Sequence, residues 1–142
     1  IAMPQNHSEP RHLKTGDASE QHMKLAALAR LLGGLLYRYG SEVQLHDALA
    51  RVLDDAGYQY TREFVLDAKN RADFCLGGIV IEVKVDGALS EALRQVDRYI
   101  SLPQVTGVLL ASTQRWADKP LADRPAWQGK AFQMIRLGRQ AL

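Results

Sequence analysis

Apolar residues recur at three- and four-residue steps through Leu25, Leu28, Leu32, Leu35 and Tyr39, which predicts a helix from Asp17 to about Tyr39. Gly33 and Gly34 weaken its centre and Gly40 suits the residue just past its end. Ser41 then fits the N-cap of a second helix, Glu42 to about Ala56, with a stripe of Leu45, Leu49, Val52, Leu53 and Ala56 and a stop at Gly57. Tyr58 to Leu66 reads as a strand, followed by a polar connection from Asp67 to Asn70. Two runs rich in strand-forming residues, Arg71–Leu76 and Ile79–Val85, flank Gly77-Gly78, a strong signal for a tight hairpin. Asp86-Gly87 breaks the second run, and a helix follows from Leu89 to Ile100 with Leu89, Leu93, Val96 and Ile100 inward. Beyond Pro103, Val105–Ala111 and Lys130–Arg136 have the composition of two more strands. Strand, helix and apolar strand in succession predict a parallel crossover. The expectation is an α/β layered domain over residues 17–142, preceded by a disordered or vector-derived segment, residues 1–16.

The hairpin carries the candidate chemistry. With Gly77 and Gly78 as the loop, Leu76 faces Ile79, Cys75 faces Val80, Phe74 faces Ile81 and Asp73 faces Glu82. Alternation then gives one core face of Phe74, Leu76, Ile79, Ile81, Val83 and Val85. The other face carries Arg71, Asp73, Cys75, Val80, Glu82 and Lys84. Asp73 and Glu82 become cross-strand neighbours with Cβ atoms roughly 5 Å apart, and Arg71 lies opposite Lys84. Like charges placed directly opposite are unfavourable. A divalent cation between the carboxylates and an anionic ligand near the basic pair remove both penalties. The plainer alternative is a solvated face with diagonal ion pairs.

Composition narrows the classes. An apolar fraction of 46% and a charged fraction of 24% describe an ordinary globular chain, and a net charge of +2 is too small to argue nucleic-acid binding by itself. The lone Cys75 excludes an intramolecular disulfide and multi-cysteine zinc or iron–sulfur sites, and is better read as a small core-edge residue than as a nucleophile. With no secretory signal and no membrane-spanning run, a cytoplasmic location and no membrane partner are expected.

On the helix after the hairpin, Gln95 and Tyr99 lie four residues apart and share a face. Glu42, in the first turn of its helix, projects from near the apolar stripe, although the helix dipole alone accounts for an acid there. Taken in order, these features resemble the PD-(D/E)XK nuclease superfamily. Asp73 matches the aspartate of its first half-motif, Glu82-Val83-Lys84 the E-x-K half, and Glu42 the acid on the first core helix. Gln95-Val96-Asp97-Arg98-Tyr99 is similar to the Q-x-x-x-Y motif of the RecB-like branch. The resemblance covers about Ser41 to Ala111, with Lys130–Arg136 as the last strand. Ala72 stands where the family name has proline, the iron–sulfur cysteines of some relatives are missing, and no helicase segment accompanies the motifs.

The resemblance implies a restriction-endonuclease-like core, a central mixed β-sheet flanked by helices in the order αβββαβ with an extra N-terminal helix. It implies hydrolysis of DNA phosphodiesters with Mg²⁺ or Mn²⁺ held by Asp73, Glu82, the Val83 carbonyl and Glu42. Lys84 is then assigned to charge stabilisation and water positioning, Gln95 and Tyr99 to organising the site, and Arg71, Arg94 and Arg98 to phosphate contacts. DNA is the expected partner, with a homodimer as the candidate assembly. The alternatives are a catalytically weak nucleic-acid-binding or assembly module on the same fold, or an unrelated α/β binding domain.

Overall fold

The computed structural model describes residues 3–121 and 127–141. Its elements, in chain order, are α1 (Met3–Gly33), β1 (Leu36–Tyr37), α2 (Glu42–Asp55), β2 (Thr61–Val65), β3 (Arg71–Leu76), β4 (Ile79–Lys84), α3 (Leu89–Ile100), β5 (Gly107–Ser112), β6 (Ala131–Arg136) and β7 (Gly138–Arg139), with short 3-10 turns at Arg115–Asp118 and Trp127–Gly129. The five-stranded sheet has the order β2-β3-β4-β5-β6. β2, β3 and β4 form an antiparallel meander, whereas β4, β5 and β6 run parallel. The fold is therefore α/β with a central mixed sheet, and α3 makes the crossover from β4 to β5.

Helices cover both faces. Leu25, Leu28 and Leu32 of α1 and Leu45, Leu49 and Leu53 of α2 pack with Phe74, Ile79, Ile81 and Leu109. Ala92, Val96, Tyr99 and Ile100 of α3 pack with Ala72, Val80, Val108 and Leu110 on the opposite face. Each fully buried leucine or isoleucine contributes roughly 1.5–3 kcal/mol, so the three stripes fix the helices against the sheet. Three longer-range bonds also secure the end of α3 and the turn after it: Lys130 Nζ donates to the Ile100 and Leu102 carbonyls at 2.8 and 2.9 Å, and Trp127 Nε1 donates to Asp97 Oδ1 at 3.2 Å.

The first helix departs from its predicted bounds at both ends. It begins ahead of Asp17, within the stretch expected to be irregular, and stops at Gly33 rather than Tyr39. The glycine pair therefore ends the helix instead of weakening its middle. Leu36 and Tyr37 leave the helical stripe to pair in parallel with Gly138 and Arg139, and the buried Tyr37 hydroxyl donates to the Leu32 carbonyl at 2.6 Å. This small second sheet has no periodicity signal because each strand is only two residues long. Its packed half makes α1 part of the core, lying against β5 and β6. The α2 bounds agree with expectation: Ser41 caps its start by accepting from the Gln44 amide, and Gly57 follows its end at φ +85°. Among the described residues, no helix is long and apolar enough to cross a membrane.

Candidate functional site

The hairpin pairs as the sequence predicts, with Phe74 opposite Ile81, Cys75 opposite Val80 and Leu76 opposite Ile79. The ladder stops one step short of Asp73 and Glu82, where side chains replace the backbone rungs. The Val83 amide donates to Asp73 Oδ2 at 2.7 Å, and the Asp73 amide donates to Glu82 Oε1 at 3.4 Å. Each acid is thus held by the other's strand. The pairing of β2 with β3 is interrupted at the same level: Arg62 faces Phe74 and Phe64 faces Ala72, but the rung between them is missing. Glu63 occupies that missing position in left-handed backbone at φ +52°.

Alternation also shifts at Asp73. Ala72 lies in the core beneath α3, while Phe74, two residues on, lies in the core beneath α1 and α2. The predicted second face is consequently not a solvated one. Val80 is fully buried and Glu82 is only 4% exposed, because α3 covers them. The predicted opposition of Arg71 and Lys84 falls beyond the end of the ladder. Arg71 registers with Val65 instead, and its guanidinium lies 3.9 Å from Glu63 Oε1.

Glu82 is enclosed by residues of α3. Gln95 Nε2 donates to Glu82 Oε2 at 2.8 Å and to the Tyr99 hydroxyl at 2.7 Å, using both amide hydrogens. The Tyr99 hydroxyl lies 2.8 Å from the Arg71 carbonyl and 3.3 Å from Glu82 Oε1, so its single proton is shared between the two oxygens. Lys84 Nζ sits 3.6 Å from Glu82 Oε2. Burial, and then the Asp73 charge, push the Glu82 carboxyl up to about 8, against the opposing pull of Lys84, the Asp73 amide and Tyr99. Burial also raises Asp73, opposed chiefly by the Val83 amide. A buried and a half-buried carboxyl in this relation resist joint ionisation unless a cation joins them.

Sequence reasoning missed two residues. His46 of α2 and Glu63 of β2 bring their ligating atoms together with that of Asp73, all within 4.8 Å of one another. Among the described residues, His46 Nε2 is buried without a hydrogen-bond partner. Its ring stands beside Phe74, with centroids 6.1 Å apart. The available signal was weak: His46 follows Leu45 on the helix, so it borders the apolar stripe one turn beyond Glu42. Glu42 itself is exposed, and its Oε1 lies 4.0 Å from His46 Nε2. The described contacts connect Glu42 to the site through this histidine and show no direct meeting with Asp73 or Glu82.

The remaining predicted residues lie around an open groove. Lys84, Gln95, Arg94 and Arg98 line it together with Asp86 and Glu91, enclosing about 350 Å³ at the start of α3. Cys75 is buried at its edge of the sheet, Sγ 3.2 Å from the Gly77 carbonyl, and burial pushes its thiol up, which disfavours the nucleophilic thiolate. The arrangement can bind a divalent cation through oxygen and imidazole donors and present a lysine and two arginines to an anion beside it. No protein-family model matches the chain, and neither does any curated protein or solved structure with which it was compared.

Proposed function

We propose that the protein is a divalent-metal-dependent nuclease that hydrolyses phosphodiester bonds in DNA on a restriction-endonuclease-like frame. The observation that carries this reading is the meeting of Asp73 and Glu82 where the β3–β4 ladder stops, with Lys84 3.6 Å from Glu82. A core sheet gains nothing from a buried and a half-buried acid in a gap between strands. A phosphodiesterase needs both, because they hold a cation beside a scissile phosphate.

The donor set fits Mg²⁺ or Mn²⁺, hard to borderline ions that favour oxygen ligands and, for Mn²⁺, accept imidazole. Asp73, Glu82 and the Val83 carbonyl would hold it, with His46 on the α2 side. The N–H and C=O of one strand residue point to the same neighbouring strand. The Val83 amide is spent on Asp73, and the Lys84 carbonyl is taken by Ser112 and Thr113 of the β5 side. The Val83 carbonyl therefore opens toward β3 and the acids. When bound, the ion supplies Lewis-acid stabilisation of phosphoryl charge and lowers the pKa of water.

The chain's own groups do the rest. Gln95 fixes Glu82 Oε2, and Tyr99 ties Gln95 and the Arg71 carbonyl into the same network, which keeps the acid in one orientation. Lys84 places a positive charge beside the acids, where it stabilises the developing charge on a phosphoryl oxygen and orients the attacking water. Arg94 and Arg98 extend the positive lining of the groove along α3 to neighbouring phosphates. Glu42 adds negative charge beside His46, its Oε1 4.0 Å from Nε2.

The test is strand scission of linear, circular and branched DNA with Mg²⁺ and with Mn²⁺, comparing the wild-type chain with Asp73→Ala and Lys84→Ala. Both variants should lose at least about a hundredfold in rate, the scale for removing one charge-stabilising group, with far-UV circular dichroism unchanged. Equal activity in all three proteins, or none in the wild type, rejects the proposal.

A further inference from the structure

We propose that Glu63 is a metal-ligating residue, sharing one divalent ion with His46 and Asp73, and that this mixed imidazole–carboxylate set takes a first-row transition ion of the Mn²⁺ class. The inference deepens the metal-dependent reading above and rests on it. Three residues from three elements, α2, β2 and β3, converge with ligating atoms no more than 4.8 Å apart. Each carries a penalty that a cation at that point removes.

His46 Nε2 is sealed from solvent without a hydrogen-bond partner, and an orphaned buried nitrogen costs stability until something fills its lone pair or takes its proton. Glu63 stands at φ +52°, a region that residues other than glycine, asparagine and aspartate seldom occupy. The flanking pairs, Arg62 with Phe74 and Phe64 with Ala72, put Glu63 directly across from Asp73, so two acids oppose each other on neighbouring strands. Nothing in the packing demands this, since every residue of β2 is exposed and, among the described residues, its outer edge has no partner strand. The simpler explanation gives Glu63 to Arg71. That contact is 3.9 Å long between side chains 63% and 57% exposed, the kind of pair that contributes little, and it leaves the histidine nitrogen unanswered. An imidazole beside two carboxylates also selects: it suits manganese and its heavier neighbours better than magnesium or calcium.

The experiment measures Mn²⁺ binding to the full chain by the loss of the free-ion electron paramagnetic resonance signal, with calorimetry alongside. Variants Glu63→Gln, Glu63→Gly and Arg71→Gln are compared with the wild type. Glu63→Gln should weaken Mn²⁺ at least about tenfold, the low end of what even indirect partners of a metal contribute, while Arg71→Gln stays within about threefold. Glu63→Gly separates ligation from folding. Glycine tolerates positive φ, so this variant should melt higher than the wild type without metal, yet bind Mn²⁺ as poorly as Glu63→Gln. Unchanged Mn²⁺ affinity in both Glu63 variants, or no Mn²⁺ binding by the wild type, overturns the assignment. Mn²⁺ binding that depends on Glu63 in a protein that cuts no DNA would uphold the ligand and reject the nuclease reading.

Discussion

Replacing Glu82 by glutamine should make the metal-free protein less sensitive to a rise in pH from about 5 to about 8, and the size of the effect follows from the site. The carboxyl is 4% exposed and its pKa stands at about 8 instead of the ordinary 4.5. Below about pH 4.5 both the folded and unfolded states hold the proton. As pH rises toward 8 the unfolded chain releases it while the folded chain keeps it, so folding loses stability through that window and the loss is complete above it. At about 1.4 kcal/mol per unit, the interval from about pH 5 to pH 8 removes roughly 4 kcal/mol, a large part of a typical domain's stability. A glutamine side chain does not titrate. The slope that remains is that of Asp73, whose carboxyl is raised by burial whatever stands at position 82. The exchange of an oxygen for an amide disturbs the bonds from Gln95 and the Asp73 amide by about 1–2 kcal/mol, but this offset is the same at every pH. The assay is urea unfolding in a chelator at half-unit steps from about pH 5 to 9, read as the change in stability with pH. Wild type should fall steadily and Glu82→Gln should fall clearly less, keeping only the part due to Asp73. Saturating Mn²⁺ should flatten the wild-type curve, because an ion holds Glu82 in its charged form. A wild-type profile without slope, or equal slopes in both proteins, refutes the argument.

Two further outcomes test the surroundings. Tyr99→Phe removes a hydroxyl buried between Gln95, Glu82 and the Arg71 carbonyl, and should cost about 1–3 kcal/mol in thermal or urea unfolding; no loss would mean the network is slack. Arg94→Ala and Arg98→Ala should each weaken DNA binding and lower the slope of log affinity against log salt by about one, measured by fluorescence anisotropy; an unchanged slope removes these arginines from the interface.

The register of the hairpin was legible because Gly77-Gly78 leaves one loop length, and apolar alternation then dictates which residues oppose. The crossover was legible for a similar reason: strongly apolar β5 needs cover on both faces. The burial of Glu82 was not legible. Periodicity assigns a face, but whether that face meets water depends on where α3 lands, a tertiary fact. The shift of alternation between Ala72 and Phe74 leaves no trace in composition, since a local break in a ladder depends on backbone angles. His46 was missed because a single histidine beside an apolar stripe has no spacing to betray it, and Glu63 because an acid on an edge strand looks like ordinary surface. Glu42 shows the converse. Its place in the first turn of α2 was legible from the Ser41 cap, yet the described contacts bring it to His46 and not to Asp73 or Glu82.

The bonds from Lys130 and Trp127 to α3 bear on when the centre comes into being. The amide and phenol that steady Glu82 belong to a helix whose far end is moored by residues synthesised some thirty positions later. A nascent chain that has emerged only through β5 has every acid of the constellation but lacks the mooring that sets their geometry. Assembly of the centre is therefore a late event, coupled to docking of the last long strand, and a chain arrested before that point should remain inert.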